Sequence, residues 1–142
     1  MRAVTVTPSS FERPGGEPGI RVQWRGPELL VVEFAHAVED DEFVAYLAEL
    51  ATVLTRRRRY ASLCIQTGSW GLSASQRAMQ IEFIRRHERE LGLLCRGVAF
   101  VLPHTLPRLV LSGILLLRRL PMPHAVFDTE AAASAWLTSR SI

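Results

Sequence analysis

The chain contains no lysine and no asparagine, and all 17 of its basic side chains are arginine. Codon usage in a GC-rich genome produces such a bias, so Arg at any one site says little about bidentate recognition. Cysteine is scarce too. Cys64 and Cys95 are the only two; they sit in or beside apolar stretches at a spacing that suits neither a disulfide framework nor a metal site, which leaves buried thiols in a reducing compartment. Long apolar runs are missing as well. The longest, Leu109 to Leu117, is broken by Ser112 and Gly113 and falls short of the ~20 residues of a membrane span. Met1 to Ser10 has one Arg and no apolar centre, so it does not read as a signal peptide, and the expected location is the cytoplasm.

Chemical signatures are also absent. His36, His87, His104 and His124 are scattered, with no two at ligand spacing and no Ser or Cys set beside them as a nucleophile-base pair would require. Gly68-Ser69-Trp70-Gly71 lacks the glycine spacing and the Lys of a phosphate-binding loop. Basic residues occur without aromatic interleaving or a recognition motif, which argues against nucleic-acid binding. The expectation is a protein without metal, cofactor or catalytic set.

What is present is one domain's worth of chain, 142 residues at 48% apolar and 22% charged composition, able to bury about two thirds of its unfolded surface. Charge is divided unevenly. Residues 1 to 50 carry four Arg against nine acids, and residues 51 to 142 carry thirteen against five. An acidic partner or an anionic surface is permitted by that asymmetry, not demanded by it.

Residues 1–17 are turn-rich, with Pro8, Pro14, Gly15 and Gly16, and read as a flexible leader or edge segment, Met1 to Thr7 having enough Val and Thr for a short extra strand. The regular domain is residues 18–142. Ile20, Val22 and Trp24 alternate with polar neighbours as a strand with one wet face; Gly26-Pro27-Glu28 turns the chain into the more apolar Leu29 to Phe34. A helix follows, with acids Glu39 to Glu42 at its start, a buried stripe of Phe43, Leu47, Leu50 and Leu54, and Arg56 to Arg59 at its end to complement the dipole.

The stretch from Arg59 to Leu91 organises the rest. An apolar strand, Tyr60 to Gln66, delivers the loop Thr67 to Leu72 onto a helix opened by Ser73, where Ser73 and Gln76 have the spacing of a capping box. That helix should bury Met79, Phe83 and Leu91 and close at Gly92. Trp70 lies in the loop either as core or as an exposed interface anchor. Gly97 to Leu102 is a further strand. A third helix, capped by His104 or Thr105 and running through Leu117, is apolar on nearly every side, as befits cover within the fold, a homodimer interface, or surplus surface for a partner or lipid. His124 to Phe127 makes the last strand, and Asp128 caps a final helix with Ala132, Ala133, Trp136 and Leu137 inward. The order β-β-α-β-α-β-α-β-α specifies an α/β domain, a mixed and mostly parallel sheet of about five strands with four helices.

In this order of elements, in the Leu63 to Met79 strand-loop-helix, in the strand Arg96-Gly97-Val98-Ala99-Phe100-Val101, and in Val126 to Ala131 followed by Ala135-Trp136-Leu137, the chain resembles the STAS family of bacterial anti-sigma-factor antagonists. The resemblance spans about residues 18 to 139. It implies a STAS-like fold and a docking module rather than an enzyme, with a kinase-like protein partner that phosphorylates a Ser or Thr at the start of the second helix inside an Asp-Ser-Ser-Gly stretch. Here Ser73-Ala74-Ser75-Gln76 stands at that place. Ser75 matches the modified hydroxyl, while the preceding acid and the following Gly are absent. The candidates for partner binding or phosphorylation are therefore Ser69, Trp70, Ser73, Ser75 and Arg77, the last as a partner for an added phosphate. A second reading is an apolar-ligand or lipid carrier of the CRAL-TRIO kind, motivated by Leu109 to Leu117 and the basic later half.

Overall fold

Alternating burial marks the first strand pair in the computed structural model, which describes residues 5–6, 18–67, 71–102 and 120–140. In β2 (Ile20–Trp24) the side chains of Ile20, Val22 and Trp24 are buried while Arg21 is exposed. This strand pairs antiparallel with β3 (Leu29–Phe34), Ile20 opposite Phe34 and Trp24 opposite Leu30. Between them Gly26 takes a φ of 83°, a left-handed conformation that glycine adopts without steric cost. On the outer side of β2 runs β1 (Thr5–Val6), so the leader contributes a two-residue edge strand.

The continuous apolar character of β3 reflects cover on both faces. Leu30 and Val32 enter one core and Val31 the other. Helix α1 (Asp40–Thr55) then packs with Phe43 and Leu54 fully buried and Leu47 and Leu50 against the same core, as the stripe predicts. Its first turn is fastened by Glu42, a buried carboxylate whose Oε2 accepts from the Gly19 and Ile20 amides at 2.8 and 3.1 Å. The approach is close. A Cβ on Gly19 would collide with the Val38 side chain and lie 2.9 Å from the His36 carbonyl.

At the far end of α1, Arg56 caps the helix and lays its guanidinium over Trp24, 3.8 Å from the ring centroid, while donating to the Pro27 carbonyl at 3.0 Å. The first arginine of the run is thus absorbed into the fold. β4 (Tyr60–Gln66), β5 (Cys95–Val101) and β6 (His124–Phe127) complete a sheet in sequential order β1 to β6, parallel from β3 onward. The mostly parallel sheet expected from the sequence is present, with β1 added at its edge.

Three further helices are described: α2 (Ala74–Arg86), α3 (Glu88–Leu94) and α4 (Glu130–Ser139). One face of the sheet packs against α1, α2 and α3 through Val32, Phe43, Leu54, Phe83 and Leu91. The other packs Leu63, Ala99 and Val101 against Ala133 and Leu137 of α4.

Three boundaries differ from the sequence reading. The helix expected to run unbroken from Ser73 to Leu91 is two helices, because His87 leaves helical geometry with ψ at 18°. Its ring lies over Phe83 with centroids 4.5 Å apart, and its Nδ1 faces Glu90 across 3.1 Å, so one residue closes α2 and opens α3. Gly92 accordingly lies inside α3 rather than after a helix end. The cap of α4 is Thr129, not Asp128: Thr129 Oγ1 accepts from the Ala132 amide at 3.1 Å. With that register Ala133 and Leu137 face the sheet and Ala132 faces solvent. The helix expected at 105–117, and most of the leader, lie outside the described residues.

Candidate functional site

Strands β3 to β6 end together at the carboxyl edge of the sheet, where the Thr67 amide continues the pairing by donating to the Phe34 carbonyl at 3.0 Å. The chain enters α2 from this edge through Ser73, whose backbone is extended (φ −68°, ψ 168°). Ser73 Oγ accepts from the Gln76 amide at 3.1 Å, and Gln76 Oε1 accepts from the Ser73 amide at 3.2 Å. This is the capping box that the Ser-x-x-Gln spacing predicts.

Gln76 does more than cap. Its side chain is buried, the residue being 3% exposed, and Nε2 donates to the Val38 carbonyl at 2.8 Å and to Asp40 Oδ1 at 3.0 Å. Beside it, the Ser75 hydroxyl donates to Asp40 Oδ2 at 3.0 Å. Ser73 Oγ lies 3.1 Å from Ser75 Oγ. Because the Ser75 hydrogen is committed to Asp40, the Ser73 hydroxyl donates to Ser75, and the bonds run one way, from Ser73 through Ser75 to the carboxylate. A chain of this kind polarises each member in turn. One aspartate thereby ties the start of α1 to the start of α2, where both helices direct unpaired N–H groups and positive dipole ends.

Of the five candidates read from the sequence, Ser73 and Ser75 come together in this network. Arg77 does not join them: its Nη1 donates to the Leu72 carbonyl at 2.8 Å, which braces the end of the loop. Ser69 and Trp70 lie outside the described residues. Sequence reasoning missed Asp40, which as an acid in a first helical turn is explained by the helix dipole alone. Around this network Asp41, Ser73, Ala74, Ser75, Arg77 and Ala78 are exposed, so the edge presents an outward face on a fixed frame. Chemically it is a set of neutral donors on one carboxylate.

No family model and no curated protein matches the chain. A solved structure does. An uncharacterized protein of the DUF3478 family from Shewanella loihica PV-4, described as having a SpoIIAA-like fold, superposes with a TM-score of 0.66 at 14% identity, over 89% of this chain and 99% of that one. The fold of this chain is SpoIIAA-like. It is the STAS-type architecture that the element order and the three local stretches resemble, and at such low identity the likeness speaks for the fold alone. Within the SpoIIAA-like frame, the Ser73–Arg77 helix start lies beside the start of α1, whose first residue is Asp40. No described helix is long and apolar enough to cross a membrane.

Proposed function

We propose that this chain is a non-enzymatic regulatory module that docks a partner protein through the strand-loop-helix at residues 67–77. The observation that carries the reading is the Asp40 junction. It fixes the start of α2 against the start of α1 by three hydrogen bonds, from Ser75 to Asp40 and from Gln76 to Asp40 and Val38, while leaving Ser75, Arg77 and Ala78 outward. An exposed, partly charged helix start already held by these bonds suits recognition by another protein, because its backbone need not be ordered on binding. The resemblance to anti-sigma-factor antagonists supports a regulatory role for it.

Ser75 is the position at which such a module would be switched. A phosphate there carries about −2 charges and has no hydrogen to donate to Asp40, so like charges would face each other where a hydrogen bond now stands. The switch would act on the junction as well as on the partner.

Photo-crosslinking tests the reading. A benzophenone side chain replacing Ala78 on the docking edge, or Ala131 on α4, is introduced into the full chain in its host, with and without Ser75→Glu. Crosslinks to one protein at residue 78, absent at residue 131 and diminished by Ser75→Glu, are the expected result. Equal crosslinking at both positions, or indifference to Ser75→Glu in a folded protein, would overturn the assignment of the surface.

A further inference from the structure

The outward face of α1 carries no charge along its middle. Val44 is 52% exposed, and Ala48, Thr52 and Thr55 follow it on the same face, all exposed. Surface helices ordinarily turn charged residues outward. Between Glu42 and Arg56 the only charged residue is Glu49. It stands two turns from Glu42, which binds the Gly19 and Ile20 amides, and two turns from Arg56, which covers Trp24, so it falls on the flank toward β2. The hydroxyls of the outward face are occupied within the helix: Thr52 Oγ1 donates to the Ala48 carbonyl at 3.1 Å and Thr55 Oγ1 to the Thr52 carbonyl at 2.6 Å. Covering this face would therefore strand no hydroxyl hydrogen. Beside it lies an open hollow walled by Ala48 and Ala51 of α1 and by Met79 and Phe83 of α2, which widens the apolar contact beyond one helix.

The two ends of α1 are charged, with opposite sign. Glu39, Asp40 and Asp41 are exposed at its start, and Arg57, Arg58 and Arg59 are exposed just past its end. Arg57 reaches Glu90 only at 3.7 Å, and Arg58 and Arg59 form no ion pair among the described residues. A patch that is neutral in the middle, negative at one end and positive at the other complements itself when turned end for end. We infer that α1 docks on α1 of a second copy of this chain, antiparallel about a two-fold axis beside Ala48. Each copy then brings its Glu39–Asp41 acids to the other's Arg57–Arg59 run, and the two helix dipoles oppose one another. Val44 of each copy packs near Thr55 of the other, and the small side chains of Ala48 and Ala51 let the helices approach at the axis. A contact of one helix and the rim of its neighbour falls below the ~800 Å² per partner of a standard interface, so the dimer is weak and concentration-dependent. The inference does not rest on the docking role of residues 67–77, nor on the 105–117 stretch to which the sequence points for a homodimer.

Sedimentation equilibrium of the full chain over a range of concentrations tests it. A reversible monomer-dimer equilibrium is expected, weakened by added NaCl because the end-to-end pairs are charged and exposed. Ala48→Arg sets two like charges face to face across the axis and should raise the dimer Kd about tenfold or more. Thr52→Arg serves if the first variant is not folded by circular dichroism. In a separate arm, mild oxidation should link Ala48→Cys into a disulfide dimer while Ala131→Cys on α4 stays monomeric. A chain that is monomeric at every concentration would overturn the proposal. So would a dimer indifferent to a folded Arg variant, or equal disulfide linkage at positions 48 and 131.

Discussion

Removing the Gln76 side chain should cost this protein more than any other polar substitution at the carboxyl edge. In Gln76→Ala three hydrogen bonds disappear: those from Nε2 to the Val38 carbonyl and to Asp40, and the one from the Ser73 amide to Oε1. A typical bond contributes ~0.5–1.5 kcal/mol net, and one to a charged group about 1.5–3. Summed, the loss is roughly 2.5–6 kcal/mol, reduced by a few tenths because alanine is the better helix former. Urea unfolding with linear extrapolation should show a fall of about 3 kcal/mol or more in ΔG, and Tm should drop by roughly 6–12 °C. Gln76→Glu sharpens the test because it keeps the shape and the acceptor for Ser73 but replaces the donor with an oxygen facing two others. The introduced carboxyl, buried beside Asp40, should have a folded-state pKa above its unfolded one, so its neutral form is favoured in the fold. Its penalty relative to wild type should then be small below about pH 4 and grow as pH rises toward 7. A Gln76→Ala cost below about 0.5 kcal/mol, or a Gln76→Glu penalty independent of pH, would show that the junction does not hold the two helices together.

Other positions give independent tests. Gly19→Ala should destabilise by about 2 kcal/mol or more in the same urea assay, since the added methyl meets Val38 and the His36 carbonyl with no room to relax. Arg57, the position after the α1 cap, has a φ of 55°, and Arg57→Gly should raise stability by roughly 0.5–1 kcal/mol because glycine is not strained there. Its ion pair with Glu90, at 3.7 Å between exposed groups, is too weak to reverse that sign. The thiols bear on pH. Because burial raises Cys64 to about 12 and Cys95 to about 11, the folded chain holds protons that the unfolded chain has released above about pH 9. Their contribution is complete below the ordinary thiol range and is lost as pH climbs through 11 to 12, so Tm should fall steeply above pH 9, less so in Cys64→Ala relative to its own neutral-pH value.

How far the sequence reveals this molecule depends on how local each signal is. Period-two alternation placed Ile20, Val22 and Trp24 correctly because one face of β2 meets the core along its whole length, and the spacing of Phe43, Leu47, Leu50 and Leu54 placed α1 for the same reason. Ser73 and Gln76 announced a cap since both partners of the box lie within one turn. His87 gave no warning. Histidine is neither a strong breaker nor a strong former, and the contacts at the break, the ring on Phe83 four residues earlier and Glu90 three residues later, are spacings that an unbroken helix also brings together. Asp128 and Thr129 are both good caps, and only the need to set Ala133 and Leu137 against the sheet decides between them. The Asp40 junction is the extreme case. Ser75 and Asp40 are 35 residues apart, and each has a sufficient local explanation, the acid in complementing its own helix and the serine in being exposed. Nothing unsatisfied remained in the sequence to demand a partner. A residue with an adequate local role can take on a second, distant one without altering its local pattern, and for that reason the link between the two helix starts at the carboxyl edge shows only in the folded chain.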